Sequence, residues 1–512
     1  MMATPRSGSR RESRKFFHVA ENSHILKRKT ITGVFWQLLQ KGSVQVVSFV
    51  VSVILARLID PDEFGLVAMA AIFMAVANVL ADSGLGTSLV QKKEVDELDK
   101  DTVFHFGFLL SAVLYLILFL CAPLIARMYK AEALTDIVRV SSIALFFTSF
   151  NSVQGAIVMR SMDFRKYFYA NLSATLLSAA VGIWMAYAGY GVWALVFQTL
   201  VRSVSVVLVL FLLVRWVPRF RFSWERLKTL FSFGFNLTAA NLVGTLFNEL
   251  RGFLIGLRFM PADLAFYNRG NSIPALVNDN VNGTISTVLF PAMTKLQDDK
   301  SAVKQSMRRA MMTSAFFLAP LMVMLAATAK QLVLILFTDK WLGAVPFMQV
   351  ISLGYIFSVM GSANLQAINA IGRSDITFKL EFIKKPFYLA IILGTMLISP
   401  LAIAAGNAVY NVIGSAVNAI PNKRLIDYRY GEQLLDILPQ LLLALIAGGA
   451  AFAIGQLPWN IYVVLLLQLA VGAALYMGLA RLFQMESLRY VIETIRDYRN
   501  SKRNLPDAVQ EG

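Results

Sequence analysis

The sequence predicts an all-α polytopic membrane protein, with about fourteen transmembrane helices in two six-helix lobes followed by two more C-terminal helices. Three observations carry that expectation. Apolar stretches long enough to cross a bilayer tile the chain from residue 31 to residue 483. The 512-residue chain is 57% hydrophobic and 15% charged, with mean hydropathy +0.61, leaving too little polar surface to cover a water-soluble core. The segments between the apolar stretches are too short for a separate fold. Each apolar run lasts about 20 residues, whereas barrel strands alternate over about 10. Backbone amides in lipid need partners within their own segment, so helices are the natural solution.

In chain order the predicted helices are 31–56, 64–82, 102–126, 136–158, 168–188, 190–214, 229–258, 262–294, 306–328, 345–371, 375–398, 401–421, 434–455 and 459–483. They group into a lobe over 31–214, a lobe over 229–421 and two additional helices over 434–483. The long members 229–258 and 262–294 are expected to tilt, bend or project beyond the lipid. Residues 1–30 form a basic tail. The apolar stretch after it runs far beyond a signal peptide's length, with no small-residue cleavage site, so the tail is expected to be retained in the cytoplasm.

The connecting charges alternate. One side carries Arg10, Arg11, Arg14, Lys15, Lys27, Arg28 and Lys29 of the tail, then Lys92, Lys93 and Lys100, then Arg160, Arg165 and Lys166. It continues with Arg215, Arg219, Arg221, Arg226 and Lys228, then Lys295, Lys300, Lys304, Arg308 and Arg309, then Arg373, Lys423, Arg424, Arg429 and the tail over 484–512. The other side has little beyond Arg57, Arg127, Lys130, Arg258 and Lys340. The bias is roughly 35 to 6, which places both termini in the cytoplasm by the positive-inside rule.

This distribution also accounts for the net charge of +17 without a nucleic-acid partner, because the basic residues follow topology and form no single stripe. Cys121 is the single cysteine, so no internal disulfide is possible. His18, His24 and His105 have no metal spacing, and no cofactor is expected. The stretch around Leu488, Val491, Ile492, Ile495 and Tyr498 has helical apolar spacing beside Arg489, Arg496 and Arg499. It reads equally as a helix at an anionic inner surface or a solvated one.

Two segments read alike: ARLIDPDEFGL over 56–66 and LRFMPADLAF over 257–266. Arg57 matches Arg258, Pro61 matches Pro261 and Glu63 matches Asp263, each string joining the first and second helices of a six-helix block. A weaker echo pairs VSSIALFF over 140–147 with VISLGYIF over 350–357. An even number of helices per half makes both halves enter from one side, the parallel-repeat arrangement. Two facing bundles would leave a cleft for a substrate path.

Polar faces interrupt the apolar pattern. The first helix has Gln37, Lys41, Gln45, Ser48 and Ser52; the seventh has Thr238, Asn241, Thr245 and Asn248; the eighth has Asn271, Asn278 and Asn282 with Asp279, Asn280 and Thr284 beside them. Such faces turn toward other helices or water. Lys41, Arg202, Arg251, Arg269, Lys384 and Lys385 fall within predicted spans, against Glu249, Asp279 and Glu381. A basic residue at mid-membrane costs about 2.5–3.5 kcal/mol, part of which pairing offsets, for example Glu249 with Arg251 or Arg269. The cationic surplus points to a wet, positive cavity for an anion. No Gly-rich phosphate loop and no nucleophile–base constellation is visible, so the chain is not read as an enzyme.

The strings ARLIDPDEFGLVAMA (56–70), ADSGLGTSLVQ (81–91), LAFYNRG (264–270), VLFPAMTKLQDD (288–299) and LFTDKW (336–341) resemble, in order and spacing, the bacterial polysaccharide-transporter family, Wzx-type flippases of the multidrug/oligosaccharidyl-lipid/polysaccharide exporter superfamily. The resemblance covers roughly residues 30–425 and the two extra helices. It implies a bacterial inner-membrane protein with two lobes around a central cavity, exporting a glycan linked to undecaprenyl diphosphate for exopolysaccharide, capsule or O-antigen assembly. Many relatives carry an acid just before the Leu254-Ile255-Gly256 of the seventh helix, where this chain has Arg251, with Glu249 two residues earlier. On this reading Lys41, Arg202, Arg251 and Arg269 meet the anionic head group. Asn241, Asn248, Asn278 and Asn282 contact sugar hydroxyls, and Asp279 or Glu249 couples to an ion. The expected partners are a lipid-linked oligosaccharide, membrane lipids, and a polysaccharide polymerase with its export machinery. The alternatives are a multidrug extruder of the same fold and a membrane-embedded glycan polymerase.

Overall fold

The computed structural model describes residues 9–503; residues 1–8 and 504–512 of the two expected tails, and the side chains of the tail's basic residues up to Lys29 and of Tyr498 and Arg499, lie outside the described residues. Among the described residues the chain is helical, with no strand, and divides into two compact units at Leu257–Arg258.

The first unit holds α1 (Ser9–Leu58), α2 (Pro61–Asp82), α3 (Leu85–Gln91), α4 (Glu97–Tyr129), α5 (Leu134–Ser141), α6 (Ala144–Ser161), α7 (Phe164–Tyr187), α8 (Val192–Val214) and α9 (Trp224–Arg258). Proline sets the start of α2: Asp60 is extended and Pro61 takes the first helical position, where its missing N–H is no loss. Glu63 in that first turn accepts the backbone N–H of Val192 at 3.2 Å, capping α8 from outside. A left-handed pair, Ser83 and Gly84 (φ 48° and 62°), ends α2 and opens α3.

The start of α4 is the first unit's polar anchor. Asp96 and Asp99 form a capping box, each accepting the other's backbone N–H at 2.9 and 3.2 Å. Asp99 is fully buried and also takes Lys92 Nζ at 2.6 Å and Arg226 Nη1 at 3.4 Å. Asp101 and Thr102 accept the backbone N–H groups of Arg219 and Ser223 at 3.0 and 3.2 Å. The segment between α8 and α9 is thereby tied to α4, over a core of Leu85, Phe104, Val153, Trp216 and Leu230.

The second unit holds α10 (Pro261–Thr294), α11 (Lys300–Ala327), α12 (Ala329–Phe337), a 3-10 turn (Asp339–Trp341), α13 (Ala344–Tyr355), α14 (Ser358–Ala370), α15 (Ser374–Thr395), α16 (Pro400–Ala419), α17 (Asn422–Leu425), α18 (Tyr430–Ile454), α19 (Ile461–Leu482) and α20 (Glu486–Arg503). Its core runs through Met307, Met311, Phe316 and Met322 of α11 and Ile437, Leu443 and Ala447 of α18. Asn364, Asn422 and Gln433 make a fully buried amide cluster with bonds of 2.7 to 3.2 Å. Beside it Lys304 bonds Glu432 at 3.0 Å, and Arg308 bonds Asp436 at 2.9 Å and Glu486 at 3.4 Å.

All fourteen expected helices are present, but twelve helical stretches among the described residues are long and apolar enough to cross a membrane. The expected spans 262–294 and 375–398 are helices of sufficient length that fail on composition. The first, α10, carries its asparagines; in the second, α15, Glu381 bridges Lys384 at 2.5 Å and Lys385 at 3.9 Å. Two expected single helices are interrupted. The helix over 136–158 breaks at Ser142 and Ile143, with i→i−3 bonds after a serine pair, and that over 345–371 breaks at Ile356 and Phe357. Both breaks fall inside the strings that echo one another. The stronger repeat also shows in the backbone: Asp60 (φ −76°, ψ 153°) and Met260 (φ −75°, ψ 156°) precede equivalent prolines in nearly identical conformations.

Candidate functional site: joined polar cavities of the first unit

Four helices of the first unit turn polar rows toward one another. On α2 Asn78 and Asp82 are one turn apart; on α6 Thr148, Asn151 and Ser152 share a face; on α7 Tyr167 and Asn171 do; on α8 Thr199, Arg202 and Ser203 do. These rows bound two cavities. One, of about 320 Å³, is lined by Asn78, Thr148, Asn151, Asn171, Thr199 and Arg202. The other, of about 490 Å³, is lined by Asp82, Ser152, Tyr167, Thr238 and Asn241. Asn78, Thr148 and Asn151 border both, so the two are neighbours. Thr148 donates to Asn78 Oδ1 at 3.0 Å across that shared wall. The first cavity therefore has a guanidinium in its wall and the second a carboxylate, with neutral hydrogen-bonding groups bordering both and apolar side chains such as Val67, Met74 and Phe147 completing the first. That composition suits a hydroxyl-rich molecule carrying negative charge at one end.

A close backbone approach shapes the second cavity. A Cβ on Gly84 would stand 2.6 Å from the Gly234 carbonyl oxygen, and one on Gly234 would stand 2.8 Å from that of Ser83. Ser88 Oγ bonds the Leu230 carbonyl at 3.1 Å in the same crossing. Small residues here let α9 lie against the α2–α3 turn and bring Thr238 and Asn241 to the cavity wall.

The predicted site residues fall in different places. Arg202 and Asn241 line the neighbouring cavities. Lys41 and Asn248 are exposed on α1 and α9, and Arg251 is half-buried on α9. Glu249 borders a separate cavity of about 490 Å³ whose other walls are apolar, among them Phe73, Leu118, Leu246 and Phe253. In the second unit Arg269 is buried, its guanidinium 4.8 Å above the Phe337 ring and 4.9 Å above Trp341. Asn278 and Asn282 do come together. Asn278 Oδ1 accepts Ser358 Oγ at 2.6 Å and Asn282 Nδ2 at 2.9 Å, while Asn278 Nδ2 donates to the exposed Asp279 at 3.1 Å. Sequence reasoning missed Asn78, Asp82, Thr148, Asn151, Tyr167 and Asn171. The four-residue step from Asn78 to Asp82 in an otherwise apolar helix was the available signal.

A chain of long apolar helices with cavities among them defines a polytopic membrane protein. The structure is similar to lipid II flippase MurJ in an inward closed conformation (TM-score 0.71, 14% identity, 88% of this chain and 98% of that one). It is also similar to an inward-facing MATE-family multidrug resistance transporter of the MOP superfamily (TM-score 0.57, 16% identity, 75% and 95%). The chain belongs to the polysaccharide biosynthesis protein family, which matches residues 54–346. Its curated relatives include the succinoglycan biosynthesis transport protein ExoT of Rhizobium meliloti (25% identity, 68% of this chain and 71% of the relative). The lipopolysaccharide biosynthesis protein WzxC of Escherichia coli K12 matches at 24% identity over 84% and 88%. The teichuronic acid biosynthesis protein TuaB of Bacillus subtilis matches at 23% over 89% and 95%. The resemblance read from the sequence strings is borne out, and the chain is a multi-pass inner-membrane protein.

Proposed function

We propose that this protein is a flippase that moves a lipid-diphosphate-linked oligosaccharide outward across the inner membrane for cell-surface polysaccharide assembly. It is a transporter, not an enzyme. Family membership and the transport and biosynthesis names of its relatives support that reading. The observation that carries it is the pair of neighbouring cavities, with Arg202 in the wall of one and amides and hydroxyls lining both. Arg202 binds phosphate oxygen, and Asn78, Asn151, Asn171 and Asn241 bond sugar hydroxyls. Lys41 and Arg251 of the first unit and Arg269 of the second are further head-group candidates, and Asn248 of the first unit and Asn278 and Asn282 of the second are further sugar contacts. Asp279 or Glu249 couples transport to protons or sodium. Two six-helix lobes (31–214 and 229–421) alternate access, helices 434–483 are appended, and the loop-charge asymmetry supports cytoplasmic termini. The polymerase and export machinery take the delivered glycan. The multidrug and polymerase readings are not favoured, because the relatives matched over most of their length carry polysaccharide names.

The test is Arg202→Gln in a strain that depends on this protein. Surface glycan falls about tenfold, the loss of one charge-assisted contact, while the lipid-linked intermediate accumulates and membrane protein level holds. Normal surface glycan would reject the assignment.

A further inference from the structure

A second cavity system lies within the second unit. A groove of about 770 Å³ runs between α10 and α11 and is closed on one side by Tyr490 of α20. Its apolar wall is a row at four-residue spacing on α10, Val281, Ile285 and Leu289, opposite Ala310 and Phe317 of α11. Asn280 and Thr284 also line it, but Asn280 Nδ2 and Thr284 Oγ1 donate to their own helix at 2.7 and 2.9 Å, which lowers their demand for outside partners. Polar side chains gather toward the start of α11, at Gln305, Ser306 and Arg309; Phe317 lies about 12 Å further along the helix.

The cations of α11 divide sharply. Lys304 and Arg308 are bound to Glu432, Asp436 and Glu486, whereas Arg309 forms no ion pair among the described residues and lines the groove. An unpaired arginine at the polar end of an apolar groove is the pattern of a lipid site. We propose that this groove holds an acyl chain of a monoanionic phospholipid, with its phosphodiester on Arg309. One guanidinium matches the single charge of a phosphodiester, where a diphosphate calls for more than one cation. Arg309 also borders the adjoining cavity beside α20, which adds no free cation: Arg489 there pairs with Glu493 at 3.4 Å, and Glu486 pairs with Arg308. The exposed Tyr490 and Ile492 of α20 extend the apolar surface outward, as a helix lying in the membrane interface does.

The test is native mass spectrometry of the purified full-length chain with phosphatidylglycerol, phosphatidylethanolamine and undecaprenyl diphosphate offered separately and in competition. Phosphatidylglycerol binds preferentially. Arg309→Gln lowers its occupancy roughly tenfold, and Arg309→Lys keeps most of it. Thr284→Trp, which fills the groove from an exposed position, lowers binding of every phospholipid while the protein stays monodisperse. The proposal is overturned if phosphatidylethanolamine binds equally, if undecaprenyl diphosphate displaces phosphatidylglycerol from Arg309, or if Arg309→Gln and Thr284→Trp leave occupancy unchanged.

Discussion

The crossing of Gly84 and Gly234 lets two physical effects be separated by two alanines. Gly84 has φ +62°, and an added Cβ there meets the Gly234 oxygen at 2.6 Å and Thr238 Oγ1 at 3.0 Å. Gly234 carries no positive φ, and its added Cβ meets the Ser83 oxygen at 2.8 Å. Left-handed backbone costs a non-glycine residue roughly 1–2 kcal/mol, and forcing a methyl into a packed contact costs about 1–3 kcal/mol. Gly84→Ala therefore destabilises by about 2–5 kcal/mol and Gly234→Ala by about 1–3 kcal/mol. The double variant costs less than the sum, because once one alanine pushes the helices apart the second finds room. Heating detergent-solubilised protein in steps and measuring the surviving monodisperse fraction should rank the midpoints as wild type, Gly234→Ala, Gly84→Ala. Equal midpoints for the two single variants would remove the backbone contribution. Two wild-type midpoints would show that α9 does not approach the turn as described.

Asn364→Leu strips the Asn364 side chain from Gln433 in a fully buried cluster and leaves Asn422 Nδ2 only its 3.2 Å bond to the backbone carbonyl of residue 364, so it costs about 1–3 kcal/mol. Adding Gln433→Leu should recover part of that loss, and the same heating assay reads both. Asp99→Ala releases Lys92, leaves Arg226 with Asp96 alone and breaks the capping box, for about 1.5–3 kcal/mol; limited proteolysis between residues 215 and 223 should accelerate. At the edge of that anchor the Asp96 carboxyl is held below the ordinary carboxylate value, chiefly by the Asp99 backbone N–H, with Arg226 and Lys92 adding to it. A depressed folded-state pKa gives stability that is present above about pH 3.9 and lost as pH falls through the lower folded value. Stability from this group should stay level between pH 8 and pH 5, and Asp96→Asn should flatten the fall below pH 4.

The helices were legible because apolar length and loop charge are local properties. Their breaks were not. Ser141–Ser142 and the Gly354–Phe357 stretch look like ordinary helix interior until neighbours accept the altered path. The site was legible only in part. Arg202 and Asn241 announced themselves as polar groups in apolar runs, and the Asn278–Asn282 pair followed from four-residue spacing. Arg269 shows the limit of charge counting. Two aromatic rings, Phe337 and Trp341, lie about 70 residues along the chain, and nothing near Arg269 in sequence signals that its guanidinium stacks on them. Asp82 was passed over because it sits at a helix end, where an acid usually faces water; only the fold brings Tyr167 and Asn241 to the same cavity.

In the first unit the segment returning from α8 into α9 is fastened to the start of α4, and in the second the segment returning into α18 is fastened to the start of α11. The first unit uses acids on the helix, Asp96 and Asp99, with Arg226 on the returning segment. The second reverses the signs, with Lys304 and Arg308 on the helix and Glu432 and Asp436 on the returning segment. Coulomb attraction is indifferent to which partner carries which sign, so an anchor of this kind can be kept while every residue in it changes. The turn between the first and second helices has no such freedom. A proline at the first helical position needs a preceding extended residue, and Asp60 and Met260 agree to within a few degrees in supplying it. Backbone requirements therefore keep the strings around Pro61 and Pro261 alike, while an electrostatic anchor tolerates a change of every residue in it.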